Sequence, residues 1–283
     1  MIIETYLKLS RRSLVLLKEN IKNKVKEFWN RESCGTGVAL SRKFTRQYFD
    51  EIEDYRYKVE PEVFSFAQFT RFRDKDILEV GVGSGTDFLQ WVRAGARAYG
   101  VDLTEEAVEH VRHRLEIYGL IAEDIRVADA EDLPYPDNRF DLVYSWGVIH
   151  HSPDTIKALE EIIRVTRIGG TAKIMVYNKK SLNAFYQYIK YGLMRGRPFK
   201  SISWILYHYM ESIGTKAFTI NEMKRILTKY PVRIIDIAAR VNYYDLLPDK
   251  SPFARFIAYL LACLLGYNKI GWFLTVEIEK TGN

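Results

Sequence analysis

The residues with the strongest claim to chemistry begin at Glu79-Val80-Gly81-Val82-Gly83-Ser84-Gly85-Thr86. Glycines directly after a short apolar run let the backbone turn tightly and leave room for a ligand lying against it. A dinucleotide fingerprint needs glycine at 86, where this chain has Thr86, so the loop alone also reads as a tight turn with no ligand. Two further carboxylates add meaning. Asp102 stands 21 residues after Gly81, where an acid that grips ribose hydroxyls belongs. Asp129 follows the next apolar run, where it could receive an adenine amine. Glu79, Asp102 and Asp129 each read singly as a loop cap or a solvated acid, and in this order and spacing as a cofactor site. His150-His151 follow Trp146-Gly147 and are the best candidates for a base; the same pair could instead bond loop backbone before the helix that Asp154 opens. His110 and His113 read as ordinary surface residues, and Trp146 by itself as a packing aromatic.

These residues need a scaffold that brings them to one edge. Short strands are predicted at 76–80, 98–101, 125–127, 140–144 and 171–177, with later ones at 232–238 and 272–279. Helices are predicted between them at 86–92, 104–118 and 154–166, the last closed by Gly169-Gly170. Strands alternating with helices mean an α/β chain with a parallel sheet covered on both faces, and every candidate residue falls after the carboxyl end of a strand. Residues 1–70 are helical in flavour and read as an N-terminal cap, with 71–283 as the main domain. Residues 179–218 are too long for a simple connection and read as an inserted acceptor lid. Thr219-Ile220-Asn221-Glu222 is a capping box that restarts the alternation.

Composition narrows the class. With 283 residues, 47% of them hydrophobic, the chain buries a core and forms one large domain with appended pieces. Its formal charge of +6 is a mild excess that selects no partner. Two cysteines, Cys34 and Cys263, exclude a disulfide scaffold and a four-cysteine zinc site, and read as reduced cytosolic thiols. No secretory signal opens the sequence, and the longest apolar stretch, 256–265, is well short of the ~20 residues of a spanning helix.

The runs ILEVGVGSGTDF (77–88), YGVDLTEEAV (99–108), ADAEDLPYPDNRFDLVYSWGVIHHSPD (128–154) and EEIIRVTRIGGTAKIMVYN (160–178) carry a resemblance. Together they resemble class I S-adenosylmethionine-dependent methyltransferases, most closely the small-molecule branch similar to ubiquinone and menaquinone biosynthesis enzymes. The likeness covers about residues 75–178. It implies a Rossmann-like, seven-stranded, mostly parallel sheet with helices on both faces and the last strand antiparallel, and S-adenosyl-L-methionine as cofactor. On that likeness, Glu79 and the backbone of Gly81, Gly83 and Gly85 would face the methionine part. Asp102 would bind the ribose hydroxyls, with Leu103 on the adenine. Asp129 would meet the adenine amine, and the Ala130 N–H a ring nitrogen. Ser145 and Trp146 would lie beside the sulfonium and mark the acceptor's entrance. No metal is required for this in-line displacement.

The acceptor is not written in these motifs. Between 179 and 200 there are six Lys/Arg and no acid, interleaved with Phe185, Tyr186, Tyr188, Tyr191 and Phe199. That pattern suits an anionic, partly apolar small molecule (lipid-like, sugar or quinone-type), or a helix with aromatics inward and lysines outward. An RNA methyltransferase is the alternative enzyme, opposed by the small charge excess and by Ser145-Trp146-Gly147-Val148 in place of an Asn/Asp-Pro-Pro-aromatic tetrad. A cofactor-binding but inactive scaffold subunit is the alternative outside enzymes. The basic helix 7–29 and the apolar helix 253–265 could hold an otherwise cytoplasmic domain against a membrane, or could both pack on the sheet, with Ile21, Val25 and Phe28 in the core.

Overall fold

The computed structural model describes residues 11–31, 33–246 and 252–283; the start of the expected basic helix, 7–10, lies outside them. Seven strands form one sheet in the order β3-β2-β1-β4-β5-β7-β6. Strands β1 (Asp76–Val80), β2 (Arg97–Asp102), β3 (Asp124–Val127), β4 (Phe140–Trp146) and β5 (Thr166–Tyr177) pair in parallel. Strand β7 (Phe273–Lys280) runs antiparallel to both β5 and β6 (Val232–Arg240). The strand–helix rhythm predicts the parallel α/β sheet, and the resemblance implies its seven Rossmann-like strands with the last antiparallel.

The two-residue period of a strand sends neighbours to opposite faces, and both faces here are covered. On one, Ile77, Leu142 and Tyr144 meet Phe88, Leu89 and Trp91 of helix α4 (Thr86–Arg93). On the other, Leu78, Val143 and Ile174 meet Ala158, Leu159 and Ile162 of helix α6 (Thr155–Val165). Strand order reverses between β1 and β4, so loops on either side diverge there and leave a crevice at the carboxyl edge.

The first helices, α1 (Arg11–Arg31), α2 (Arg46–Val59) and α3 (Glu62–Ala67), precede β1. Helix α5 (Glu105–Tyr118) crosses from β2 to β3, and α7 (Leu182–Tyr191) and α8 (Ile202–Tyr209) fill the long connection after β5. Helix α9 (Ile220–Leu227) opens with the predicted capping box, Thr219 and Glu222 each accepting the other's backbone N–H. Helix α10 (Pro252–Leu265) precedes β7.

Two local expectations need correction. The helix at 154–166 does not reach Gly169-Gly170: Thr166 is already extended and pairs with Phe140, its hydroxyl donating to the Ile162 carbonyl at 2.7 Å, and both glycines lie inside β5. His110 is no surface residue. Helix α2 packs across α5 and buries it, with Nδ1 2.8 Å from the Glu106 carbonyl and Nε2 3.0 Å from the Tyr48 hydroxyl.

Candidate active site

A cavity of about 580 Å³ opens at the carboxyl edge of the sheet, a size proper to a small-molecule site. Glu79, Gly81, Gly83, Asp102, Leu103, Asp129, Ala130, Trp146 and His151 all line it; Gly85, Ser145 and His150 do not. Ser145 and His150 are wholly buried behind the wall. Gly85 sits one layer back as the N-cap of α4, where a Cβ would come 2.9 Å from the Val111 side chain.

The glycine loop follows from backbone geometry. Gly81 (φ +85°) and Gly83 (φ +51°) both take left-handed conformations. A Cβ on Gly81 would strike Val148 at 2.2 Å, so this glycine lets the turn close on the β4 loop, whereas a Cβ on Gly83 would only touch the Cys34 side chain at 3.9 Å. The Gly83 N–H donates to Asp102 Oδ2 at 3.1 Å, and the Thr104 N–H and hydroxyl donate to Oδ1 at 3.0 and 2.9 Å. Burial pushes the Asp102 carboxyl above its usual range, against the pull of those donors. The carboxylate is thus fixed beside the loop by β2–α5 backbone.

Beneath the loop lies a charged floor. Arg56 of α2 pairs with Glu60 at 2.5 Å and with Asp87 at 2.9 Å. Burial opposes the Arg56 charge, but Asp87 and Glu60 outweigh it and hold the guanidinium protonated. Glu79 accepts from the Trp91 indole at 2.9 Å, and Glu60 from the Trp146 indole at 2.9 Å. Burial first, then Asp87, pushes Glu79 well above the carboxylate range; Glu60 is raised too, mainly by burial. One guanidinium therefore faces three buried carboxyls, and the floor favours an incoming cation.

Helix α1 forms the roof. Lys18, Lys22 and Lys26, one helical turn apart, reach Asp154 (2.6 Å), Asp129 (2.5 Å) with Glu131 (2.7 Å), and Glu105 (2.8 Å). Burial disfavours the Lys22 ammonium, yet Asp129 and Glu131 hold its pKa above the usual value. Asp129 has both oxygens engaged, Oδ2 by Lys22 and Oδ1 by the Glu131 N–H at 2.9 Å. Three of the four lysines of α1 are thus paired with the domain's own acids, and Lys24 is exposed. Val25 is core and Ile21 half-buried, but Phe28 stays exposed.

The far end is aromatic. Tyr177 stacks on Trp272 with ring centres 4.1 Å apart, and Trp146 meets Phe273 edge-on at 5.4 Å. His151 Nε2 lies 3.2 Å from Glu211 Oε2, and its Nδ1 3.0 Å from the hydroxyls of both Ser212 and Thr215. His150 packs its ring 4.0 Å from that of Tyr177 and has no hydrogen-bond partner for either nitrogen among the described residues. Burial, with His151 and Lys216 nearby, holds it well below the histidine range, so it stays neutral and out of reach of any acceptor. Of the six basic residues at 179–200, only Lys190 reaches the cavity. Arg195 and Arg197 sit over Tyr209, and Lys200 over Trp204.

Residues 78–174 match a family model described as a methyltransferase domain. The chain carries an S-adenosylmethionine-dependent methyltransferase domain. It is 28% identical over 180 residues to a demethylmenaquinone methyltransferase of Bacillus mycoides, across 56% of this chain and 76% of that one. It is 31% identical over 134 residues to the ajmaline N-methyltransferase of Rauvolfia serpentina, 46% of each chain. Among solved structures, the geranyl diphosphate C-methyltransferase of Streptomyces coelicolor superposes with a TM-score of 0.60 at 15% identity, covering 92% of this chain and 98% of that one. That last likeness speaks for the fold alone.

The matched methyltransferase segment ends at 174, before most of the acceptor end begins. Glu211, Tyr244 and Trp272 carry no motif, and Arg56 and Glu60 lie in and at the end of a helix within the stretch 1–70 that reads only as helical. Asp87 and Tyr177 were within reach of the sequence, one at the start of a helix after the glycine loop, the other at the carboxyl end of a strand. Glu211 had no signal at all.

Proposed function

We propose that this chain transfers a methyl group from S-adenosylmethionine to a small, ring-bearing acceptor held at the aromatic end of the cavity. The charge pattern of the floor carries the reading: Arg56 is shared by Glu60 and Asp87, and Glu79, kept protonated by burial and Asp87, can give up its proton to a ligand with a cationic centre. When bound, that cofactor supplies an electrophilic methyl group. Asp102 and Leu103 hold its ribose and adenine, Asp129 and Ala130 its adenine edge, and Glu79 with Arg56 its amino-acid end. Transfer then depends on alignment and exclusion of water. Helix α1 supplies the roof of the 1–70 cap, and 179–218 acts as the acceptor lid of the domain that follows.

A ring-bearing acceptor is supported by Trp146, Tyr177 and Trp272 in the wall, and a strongly anionic one is disfavoured by the single basic residue that the 179–200 stretch brings to the cavity. The same observation weighs against nucleic acid. Calorimetry with S-adenosylhomocysteine followed by methyl-release assays over phenols, amines and carbon acids tests the reading. Micromolar binding with turnover of a ring-bearing acceptor is expected; failure to bind S-adenosylhomocysteine would sink it, and binding without turnover would leave the scaffold-subunit reading.

One observation supports a membrane-peripheral setting. Helix α10 turns small residues, Ala258 and Ala262, inward and leaves Phe253, Phe256, Ile257, Leu260 and Leu264 exposed along one face. No helix among the described residues is long and apolar enough to cross a membrane. Because Lys18, Lys22 and Lys26 are paired within the domain, contact would come mainly from this apolar stripe and would survive high salt. Vesicle co-sedimentation at low and high salt tests it; no pelleting at either would end the idea.

A further inference from the structure

The acceptor end contains a carboxylate held in a way that packing does not require. Glu211 has φ +49°, and of the five described non-glycine residues with positive φ it alone lines the cavity. A glutamate is seldom found in the left-handed region, and such outliers persist where surrounding structure fixes them. Here the fixing is visible. The Tyr177 hydroxyl lies 3.0 Å from each Glu211 oxygen, and His151 Nε2 3.2 Å from Oε2. At that separation a protonated imidazole would stand as a cation beside the carboxylate. The other imidazole nitrogen is provided for in both states. When Nδ1 is bare, the Ser212 hydroxyl can donate to it. When Nδ1 is protonated it donates to Thr215, whose own proton goes to the Met210 or Ser212 carbonyl, 2.8 and 2.7 Å away.

We infer that Glu211, rather than either histidine, is the group that takes the acceptor's proton, with His151 and Tyr177 as positioning residues. This rests on the methyl-transfer reading and deepens it: the nucleophile is a nitrogen or oxygen that bears a proton, on a ring-bearing molecule. As the heteroatom–methyl bond forms, the sulfur–methyl bond breaks and its electron pair stays on sulfur. The proton leaves the nucleophile for the Glu211 carboxylate, and from there reaches solvent. His151 cannot do this directly, because one nitrogen faces Glu211 and the other faces two hydroxyls. The titratable groups around Glu211 are His151, Tyr177 and Cys34, with Glu60, His150 and Lys216 one layer back. Burial, with Glu211 next, pushes Tyr177 well above the phenol range, so it remains protonated.

The test uses the full chain saturated with S-adenosylhomocysteine and two probes, 4-nitrophenol and benzylamine. In the wild type the Glu211 charge should move the absorbance titration of bound 4-nitrophenol to higher pH than in water, and Glu211→Gln should return it by one unit or more. Benzylamine, read by calorimetry, should bind at least tenfold more weakly to Glu211→Gln. Glu211→Asp, which keeps the charge on a shorter arm, should fall between. Tyr177→Phe removes a donor from the carboxylate and should move the 4-nitrophenol titration higher still, which a merely structural tyrosine would not do. A response of 4-nitrophenol alone would assign an oxygen nucleophile, and of benzylamine alone a nitrogen. Equal behaviour of both probes in wild type and Glu211→Gln overturns the assignment, and so does failure of both to bind the wild type. If S-adenosylhomocysteine itself does not bind the wild type, the methyl-transfer reading has failed instead; if it binds wild type and Glu211→Gln within threefold, the variant is folded and the cofactor end is intact.

Discussion

The two ends of the cavity are built in opposite ways. At the cofactor end, Glu79, Gly81, Gly83 and Asp102 come from one strand–loop–helix–strand unit, and the Gly83 N–H bonded to Asp102 closes a circuit within it. At the acceptor end, His151, Tyr177, Glu211, Tyr244 and Trp272 come from five separate segments of the chain. The first is a local device that one supersecondary unit can form. The second exists only when β4, β5, the long connection after β5, and the approach to β7 are all in place. The cofactor end should therefore depend on single side chains, and the acceptor end on the clamps that hold distant segments together.

The sharpest way to break this contrast is Asp102→Ala. It removes the acceptor for three donors as well as a charge facing the cavity. Binding of S-adenosylhomocysteine should weaken at least a hundredfold, about 2.7 kcal/mol, by calorimetry. A loss under threefold would mean that the cofactor end is not organised by this carboxylate.

Asp245 is the corresponding clamp at the other end. It is fully buried and accepts the backbone N–H groups of Asn183 (3.2 Å), Asn242 (3.2 Å) and Trp272 (2.6 Å), which joins the insertion to the start of β7. Burial outweighs those donors and raises its pKa from 3.8 to about 6. A carboxyl raised by folding contributes its full stability below its ordinary pKa and loses it as pH rises through the folded value. Urea unfolding should therefore show stability falling between about pH 4 and pH 6, by an amount on the order of 2 kcal/mol. Asp245→Asn should flatten that slope, and an unchanged slope would remove Asp245 from this role.

The histidine pair offers a comparison within the acceptor end. His151→Phe strands the Ser212 and Glu211 partners and should cost about 2 kcal/mol of stability in denaturant unfolding. His150→Phe keeps a ring against Tyr177 and removes two buried nitrogens that have no partner among the described residues, so stability should rise by about 1 kcal/mol. Equal losses would show that the two rings are not distinguished as described. The smallest effect belongs to the roof. Lys18→Ala breaks an ion pair whose lysine is 38% exposed, and should change stability by less than ~0.5 kcal/mol, vanishing in high salt. A larger loss would mean that α1 is seated by charge more than by Val25.

Sequence and structure differ along the same line. The places of the strands along the chain, the glycine loop, Asp102 and the capping box at Thr219 were legible, because each is a pattern of neighbours whose local geometry leaves few choices, and Leu103 was legible only through the resemblance. Asp129 was legible as a member of the lining, but not its engagement by Lys22 of α1, more than a hundred residues earlier. The histidine pair was found and its members were not told apart, since two adjacent residues look alike until the loop turns one ring into the cavity and the other behind Tyr177. Helix α10 was recognised as apolar, yet only packing decided that its alanines face in and its large side chains face out.

The sequence by itself determined the sheet, its carboxyl edge and the glycine loop that lines the cavity, because strand periodicity and glycine backbone freedom act over a few residues. Only the tertiary structure decided the acceptor end. Arg56 and Glu211 have no motif signal, Tyr177 and Trp272 were legible only as strand ends, and their chemistry arises from being brought within a few ångströms by burial, which no local spacing encodes.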